Sequence, residues 1–283
     1  MKAQTPLTEF TLWRSEQLFN IDFAGYTLSH HSFPRHFHDY YVIEMVIKGA
    51  DDFYCDGKNY RACDNQLVLI NPGEVHTGST VSDIPLQYFS LYPDRKTMQQ
   101  VADVLQVTIP ADLNFHKTLQ DASALTSKMQ LLFNSFVNKA DTLFQQEIFF
   151  DCMQELLQQQ PAKASVSSCS KDMRVNLLID FIHTGFKDDI SLQQMASLVN
   201  LNPFHLVRLF KKQTGLSPYD YLLIIRTEYG KALLRKGYKV QDAAQEAGFY
   251  DTSHFNRSLR KIAGTSPRSF LSSKGQYRTT FSR

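Results

Sequence analysis

Between residues 20 and 93 the chain alternates short β-rich runs with turn signals. The runs are 40–47, 66–71 and 86–92, and the turns fall at Asp56-Gly57 and Asn71-Pro72-Gly73. Runs of this length, rich in β-branched and aromatic residues, predict strands. Asp56-Gly57, set between DDFYC and KNYRA, predicts a tight hairpin. Strands at this spacing, with no helical pattern between them, predict a small sandwich or barrel. From about residue 121 to 159 the period changes. Leu125, Met129, Leu132, Phe133 and Phe136 recur every three or four residues, as do Phe144, Ile148, Phe149, Met153, Leu156 and Leu157. Two apolar-faced helices are expected there. Their buried partner is either the barrel or a second subunit.

Beyond residue 171 the pattern is helical throughout. Residues 175–183 carry apolar positions at helical spacing. Ser191 can cap a helix to about 199, with Leu192, Met195, Ala196 and Val199 inward. Asn202-Pro203 begins the next helix, since proline suits the first helical position; Leu206, Leu209 and Phe210 face inward and Gly215 closes it. Ser217-Pro218 opens a longer helix to about 234, ended by Gly237. A short helix follows over 240–247, with a break at Gly248. The last runs from about 252 to 263 and closes at Gly264.

Within this region two segments 49 residues apart repeat: HLVRLFKKQTGLSPYDY from His205 and HFNRSLRKIAGTSPRSF from His254. Arg208 and Arg257, Lys212 and Lys261, Gly215 and Gly264, Ser217 and Ser266, and Pro218 and Pro267 fall in register. A short helix with a small residue at its centre, Ala196 or Ala244, precedes each, and the second turn is one residue longer. That is the helix-turn-helix plan, in which small residues let two helices cross closely. Shared helical periodicity could match the apolar positions; it would not also align Arg, Gly, Ser and Pro.

Charge divides the chain at the same place. Residues 1–170 carry a net charge of −7 and residues 171–283 carry +9, within a total of +2. A basic part joined to an acidic part is the distribution of a nucleic-acid reader attached to another module. The polar stretch QQQPAKASVSSCSK from Gln158 reads as a linker. At 283 residues, two domains are expected. No run approaches the roughly 18 apolar residues of a membrane helix, and the first residues lack the apolar core of a secretion signal. Cys55, Cys63, Cys152 and Cys169 form no C-x-x-C pair, which suits reduced thiols and a cytoplasmic location.

The helical repeat resembles the DNA-binding domain of the AraC/XylS family of bacterial transcription regulators over residues 174–272. The residues that carry the resemblance are Ala244, Gly248-Phe249, Phe255, Arg257, Lys261, Gly264 and Ser266-Pro267. Leu259 departs from the family's usual Phe, which Phe210 keeps in the first unit. The resemblance implies two recognition helices on one face of a duplex, reading major-groove segments about 10 bp apart. It places Phe204, Val207 and Arg208, and then Ser253, His254, Asn256 and Arg257, at base edges. Arg can grip guanine and Asn adenine through paired hydrogen bonds, and Phe or Val can touch a thymine methyl. Lys211, Lys212, Arg260 and Lys261 lie further along, where phosphate contacts give affinity without sequence information.

The segment from Pro34 to Glu44 (PRHFHDYYVIE) and the PGEVH element ending at His76 resemble the paired motifs of the cupin barrel. If residues 36–44 form one strand, His36, His38, Tyr40, Val42 and Glu44 share a face. In cupin enzymes the residues matching His36, His38, Glu44 and His76 hold a divalent metal. Here Glu44 stands one or two residues late, and Asp64 replaces a usual glycine. The resemblance to metal-free sensor cupins instead implies a pocket in which His36, His38, Tyr40, Tyr54, Glu74, His76 and Tyr88 meet a small effector.

The expected architecture is therefore α+β and multidomain: a cupin-like effector domain over 1–118, a helical dimerisation or packing segment over 119–160, a linker over 161–173, an all-α double helix-turn-helix over 174–273 and a tail over 274–283. The expected function is effector-controlled transcription regulation, with activation the commoner mode in the family. Expected partners are operator DNA, a small effector, a second copy of the chain and, for an activator, RNA polymerase; no membrane, cofactor or catalysis is expected. A metal-dependent cupin enzyme with an accessory DNA-binding domain is the alternative, and a constitutive architectural DNA binder a third reading.

Overall fold

The computed structural model describes residues 8–81, 84–121, 123–159, 172–267 and 277–280. They form two compact units, one drawn from residues before 160 and one from 172–267, with residues 33–37 grouped with the latter and 277–280 with the former. Most of the expected linker, and the tail apart from 277–280, lies outside the described residues.

The N-terminal part of the chain runs through β1 (Thr8–Arg14), a short 3-10 turn, β2 (Asp22–Leu28), β3 (Ser32–His36), β4 (Val42–Lys48), β5 (Ala50–Cys55), β6 (Lys58–Cys63), β7 (Leu67–Ile70), β8 (His76–Thr80) and β9 (Leu86–Tyr92). Then come α1 (Arg95–Leu105), β10 (Leu119–Gln120), α2 (Ala124–Val137) and α3 (Thr142–Gln158). One sheet has the order β10-β7-β4-β9-β2-β1, with β11 (Tyr277–Thr280) beyond β1; the other is β3-β8-β5-β6. The end strands of the two sheets do not pair with each other, so the expected barrel is two antiparallel sheets that do not close. Asp56 and Gly57 both take positive φ, 46° and 79°, which is the backbone that a two-residue turn between right-twisted strands requires.

The segment expected to be one strand over 36–44 is two. β3 ends at His36 in the smaller sheet, and β4 begins at Val42 in the larger, so residues 37–41 carry the chain between sheets. Alternation along β2, β4 and β9 sends Phe23, Ile43, Met45, Phe89 and Leu91 to one face, where they join Trp13, Leu125, Met129, Leu132, Phe136, Ile148, Phe149 and Met153 in one core. Between the two readings of α2 and α3, sheet packing accounts for these residues: Phe136 and Phe149 are buried against Phe23 and other rings. Helix α1 has no counterpart in the sequence-based expectation. Its signals are the Asp94 side chain, accepting from Thr97 N at 2.7 Å, and Met98, Val101 and Ala102 at helical spacing.

The second unit comprises α4 (Met173–Gly185), α5 (Leu192–Leu198), α6 (Pro203–Thr214), α7 (Pro218–Arg235), α8 (Val240–Glu246) and α9 (Thr252–Ala263). Ser191 caps α5 in a capping box with Gln194, Asn202 caps α6 and Asp251 caps α9. Gly215 and Gly264 end α6 and α9 in the left-handed region, at φ 77° and 63°, where glycine has no Cβ penalty. Leu206 and Phe210 turn the inner face of α6 inward; Phe255, Leu259 and Ile262 do so for α9.

Candidate nucleic-acid interface and ligand pocket

Helices α6 and α9 have the same length and begin 49 residues apart, so their outer faces can be compared position by position. On α6, Phe204, Arg208, Lys211 and Lys212 are exposed; on α9, Ser253, Arg257, Arg260 and Lys261 are exposed. Each set follows an i, i+4, i+7, i+8 spacing, which is one stripe of a helix. In both helices the arginine stands nearer the N-terminus and the remaining cations nearer the C-terminus, where they also complement the helix dipole. Phe204 is 67% exposed, and the Arg208 guanidinium lies 5.6 Å from its ring centroid, a cation–π contact that holds the arginine over the ring.

Three other predicted contact residues sit less openly. Val207 is half-buried. His254 is half-buried, edge-on to Phe249, with Nε2 3.5 Å from the Tyr219 hydroxyl. Asn256 is half-buried on the flank of α9, and its amide oxygen is enclosed with no hydrogen-bond partner among the described residues. Tyr250, just ahead of α9, is 97% exposed and was not anticipated. Its place in the turn, outside any periodic pattern, gave no signal.

The inter-sheet face holds the polar residues. His36 from β3, His38 from the crossing segment and His76 from the start of β8 are all buried, and their candidate ligand atoms lie within 4.8 Å of one another. Gly73 N donates to His38 O at 2.7 Å, which ties the Pro-Gly turn to the crossing segment. His36 Nδ1 donates to Pro34 O at 2.8 Å, and His76 Nδ1 to Glu74 O at 2.9 Å. A carbonyl only accepts, so both rings carry the proton on Nδ1 and turn the Nε2 lone pair away from the backbone. Tyr40 stacks on His38 at 4.6 Å and meets the Tyr92 ring edge-on at 5.4 Å.

The other predicted pocket residues divide. Tyr88 is buried and stacked on Tyr26 at 4.7 Å. Glu74 serves its own turn, accepting from Asn71 N and Nδ2 and lying 3.8 Å from the Cys55 thiol. Tyr54 lies between Phe53 and Cys55, whose side chains are buried, and so occupies the opposite face of β5. Glu44 does not join the histidines: its carboxylate accepts from the Ser90 hydroxyl at 2.9 Å, and burial with the nearby Asp51 charge pushes it up to about 8. Asp51, buried on β5, accepts from Ser79 N at 2.8 Å and is pushed up to about 7, chiefly by desolvation. Asp51, Tyr26 and Tyr92 were missed; the available signal was the period-two placement of Tyr88, Ser90 and Tyr92 along β9. An open groove of about 540 Å³ is lined by Trp13, Gly25, Tyr26, Phe133 and Lys139, and His36, His38, His76, Glu44 and Asp51 are not among its lining residues.

Residues 20–153 match a family model described as an AraC-like ligand binding domain, and residues 195–273 match one described as a helix-turn-helix domain. YbfI, an HTH-type transcriptional regulator of Bacillus subtilis (strain 168), is 29% identical over 226 residues, covering 78% of this chain and 81% of that protein. The HTH-type transcriptional activator RhaS of Escherichia coli (strain K12 / DH10B) is 26% identical over 246 residues, covering 83% and 86%. Among solved structures, an apo ToxT variant from Vibrio cholerae strain SCE256 shares the fold with a TM-score of 0.54 at 14% identity, covering 89% of this chain and 96% of that one. No described helix is long and apolar enough to cross a membrane. The chain thus carries an AraC-like ligand binding domain ahead of a helix-turn-helix domain, and the relatives it resembles over most of its length are HTH-type transcription regulators.

Proposed function

We propose that this chain is a cytoplasmic transcription activator that reads a two-box operator through α6 and α9 and is switched by a small effector held between the two sheets. The matched outer stripes of α6 and α9 carry this reading. Arg208 and Arg257 would face base edges, with Phe204 and Ser253 beside them, while Lys211, Lys212, Arg260 and Lys261 would meet phosphates. His254 and Asn256 would contribute from the flank of α9, and Val207 from that of α6. Activation is supported by the likeness to RhaS, named as a transcriptional activator, and gives the chain RNA polymerase as a partner. Leu131, Val137, Leu143 and Phe144 are exposed on α2 and α3, which suits pairing with a second copy. His36, His38, Tyr40, His76 and Tyr88 would form the pocket wall, with Glu74 bracing it; Tyr54, on the other face of β5, would stand outside it. In this reading the chain performs no catalysis and needs no cofactor.

Selection from a random DNA pool with the full-length protein tests this. Enrichment of two boxes about one helical turn apart is the expected outcome. No enriched motif, with a library of small metabolites present or absent, overturns the operator reading.

A second reading rests on the three histidines. Nitrogen ligands gathered this closely, two of them oriented by backbone carbonyls, fit a transition ion such as zinc, nickel, iron or manganese. The first unit would then be a metal-dependent cupin enzyme carrying an accessory DNA-binding domain. Stoichiometric metal in purified protein, lost in His76→Ala, supports it. Metal-free protein that still binds its operator and responds to a small molecule counts against it.

A further inference from the structure

The two helix-turn-helix copies differ in charge where each begins. Helices α5 and α8 have the same length, and Ala196 and Ala244 both stand fifth in them, so Ser191 and Lys239 occupy one place in the repeat, the N-cap. Ser191 caps α5 through its hydroxyl, and ahead of it stand Asp188 and Asp189, both exposed. Lys239 gives α8 no side-chain cap, and the matching turn ahead of it is Arg235-Lys236-Gly237-Tyr238. Lys236 takes the place of Asp188, so the sign of the charge is reversed.

Helix stability accounts for only part of this. Arg235 and Lys236 close α7, and cations there complement the negative end of its dipole. Lys239 stands at the positive end of α8, where a cation is disfavoured and where Ser, Thr, Asp or Asn would supply the missing cap. The backbone that holds it is fixed. Gly237 N, at φ 86°, donates to Leu234 O at 3.0 Å and Tyr238 N to Leu233 O at 3.1 Å, the paired bonds of a Schellman motif. Lys236, Tyr238 and Lys239 are all exposed, and neither lysine has an ion pair among the described residues.

In a helix-turn-helix the second helix enters the major groove while the first crosses the backbone. The turn that starts α8 is therefore the part of the second copy that meets phosphates outside the groove, and its charge is of the sign they attract. The turn that starts α5 carries two acids and repels them.

We infer that Lys236 and Lys239, with the Tyr238 hydroxyl between them, clamp the phosphodiester backbone beside the second box, and that the first box has no such contact. The inference rests on the two-box reading of α6 and α9. It gives that reading a polarity, since the duplex is gripped outside the groove at one box only.

The test is quantitative binding of full-length protein, over a range of salt, to a duplex enriched from a random pool and to a mixed-sequence duplex. Wild type is compared with Lys239→Ser, which removes the charge and supplies the cap that α8 lacks, so that a loss of binding is not a loss of folding. Affinity for both duplexes should fall about three- to tenfold and the salt slope by about one, while the thermal midpoint holds or rises. Neutral methylphosphonate linkages beside the second box should weaken wild type several-fold more than the Lys236→Gln/Lys239→Ser double variant; beside the first box they should act alike on both. Lys239→Ser protein that binds the enriched duplex as wild type does, with the same slope, overturns the clamp and leaves the two-box reading standing. Equal sensitivity of both proteins to neutral linkages beside the second box also overturns it. Failure to enrich any duplex overturns the two-box reading and, with it, the clamp's place beside a second box.

Discussion

Phe255 lies so close to Gly230 that a Cβ on Gly230 would stand 2.5 Å from the phenyl ring. Gly230 is on α7 and Phe255 on α9, so this contact sets how deeply the second recognition helix docks on the helix joining the two reading units. Beside it, the Thr227 and Ser258 hydroxyls share a buried 2.7 Å hydrogen bond across the same crossing. Gly230→Ala should force α9 outward and destabilise the second unit by about 1–3 kcal/mol through overpacking. Adding Phe255→Leu should recover part of that loss, because the two sites are coupled. Thermal unfolding of the single and double variants checks this; additive losses would contradict it.

Arg257→Ala and Arg208→Ala should each weaken binding to the selected operator by about 1–3 kcal/mol and relax preference at one position. Lys261→Ala and Lys212→Ala should weaken all sequences alike and lower the salt dependence by about one counter-ion each. Phe204→Ala should resemble a mild Arg208 loss, since the ring holds that guanidinium. Quantitative binding at several salt concentrations separates these behaviours.

The first unit should lose stability as the solution becomes alkaline. Glu44 and Asp51 are raised, from ordinary values of 4.5 and 3.8 to about 8 and about 7, so the folded state holds their protons more tightly than the unfolded chain does. The protonated forms favour folding fully below the unfolded values, and that contribution disappears as pH climbs through about 7 and 8. Tyr26, Tyr88 and Tyr92, which face Glu44, are raised above the ordinary phenol range and stay neutral across that window. Trp13 is the chain's one tryptophan and lies in the core of this unit, stacked on Phe136, so its fluorescence reports the transition. The midpoint should fall from about pH 6 to about pH 9 in wild type and change less in Glu44→Gln.

Substitutions on α2 and α3 should divide by face. Phe136→Asp and Phe149→Asp bury a charge inside the sheet–helix core and should unfold the first unit, at a cost of about 3 kcal/mol or more. Leu143→Glu and Phe144→Glu lie on the exposed side, 63% and 42% accessible, and should leave the unit folded while weakening self-association. Light scattering and Trp13 fluorescence on the same samples distinguish the two. Folded, fully dimeric Leu143→Glu protein would place the pairing surface elsewhere.

The second unit was legible almost residue by residue because its determinants are local. Asn202 and Asp251 cap by reaching three residues on, Gly215 and Gly264 stop helices through their own backbone, and the inward residues recur every turn. Comparing two copies of one plan in the same chain then exposed the outer stripe without any tertiary information. Hairpin and strand positions in the first unit were legible for the same reason.

What the sequence by itself determined is therefore the two-part organisation, the doubled helix-turn-helix and the exposed cations on the outer faces of α6 and α9. Tertiary structure decided that the sheets stay open, that α2 and α3 turn Phe136 and Phe149 into the domain, and that His36, His38 and His76 converge while Glu44 turns to Ser90 and Asp51. Those outcomes depend on strand register and on one sheet facing another, and they join residues from separate strands and turns. Periodicity and capping act over one or two turns of chain, and no local rule carries a side chain across the gap between two sheets.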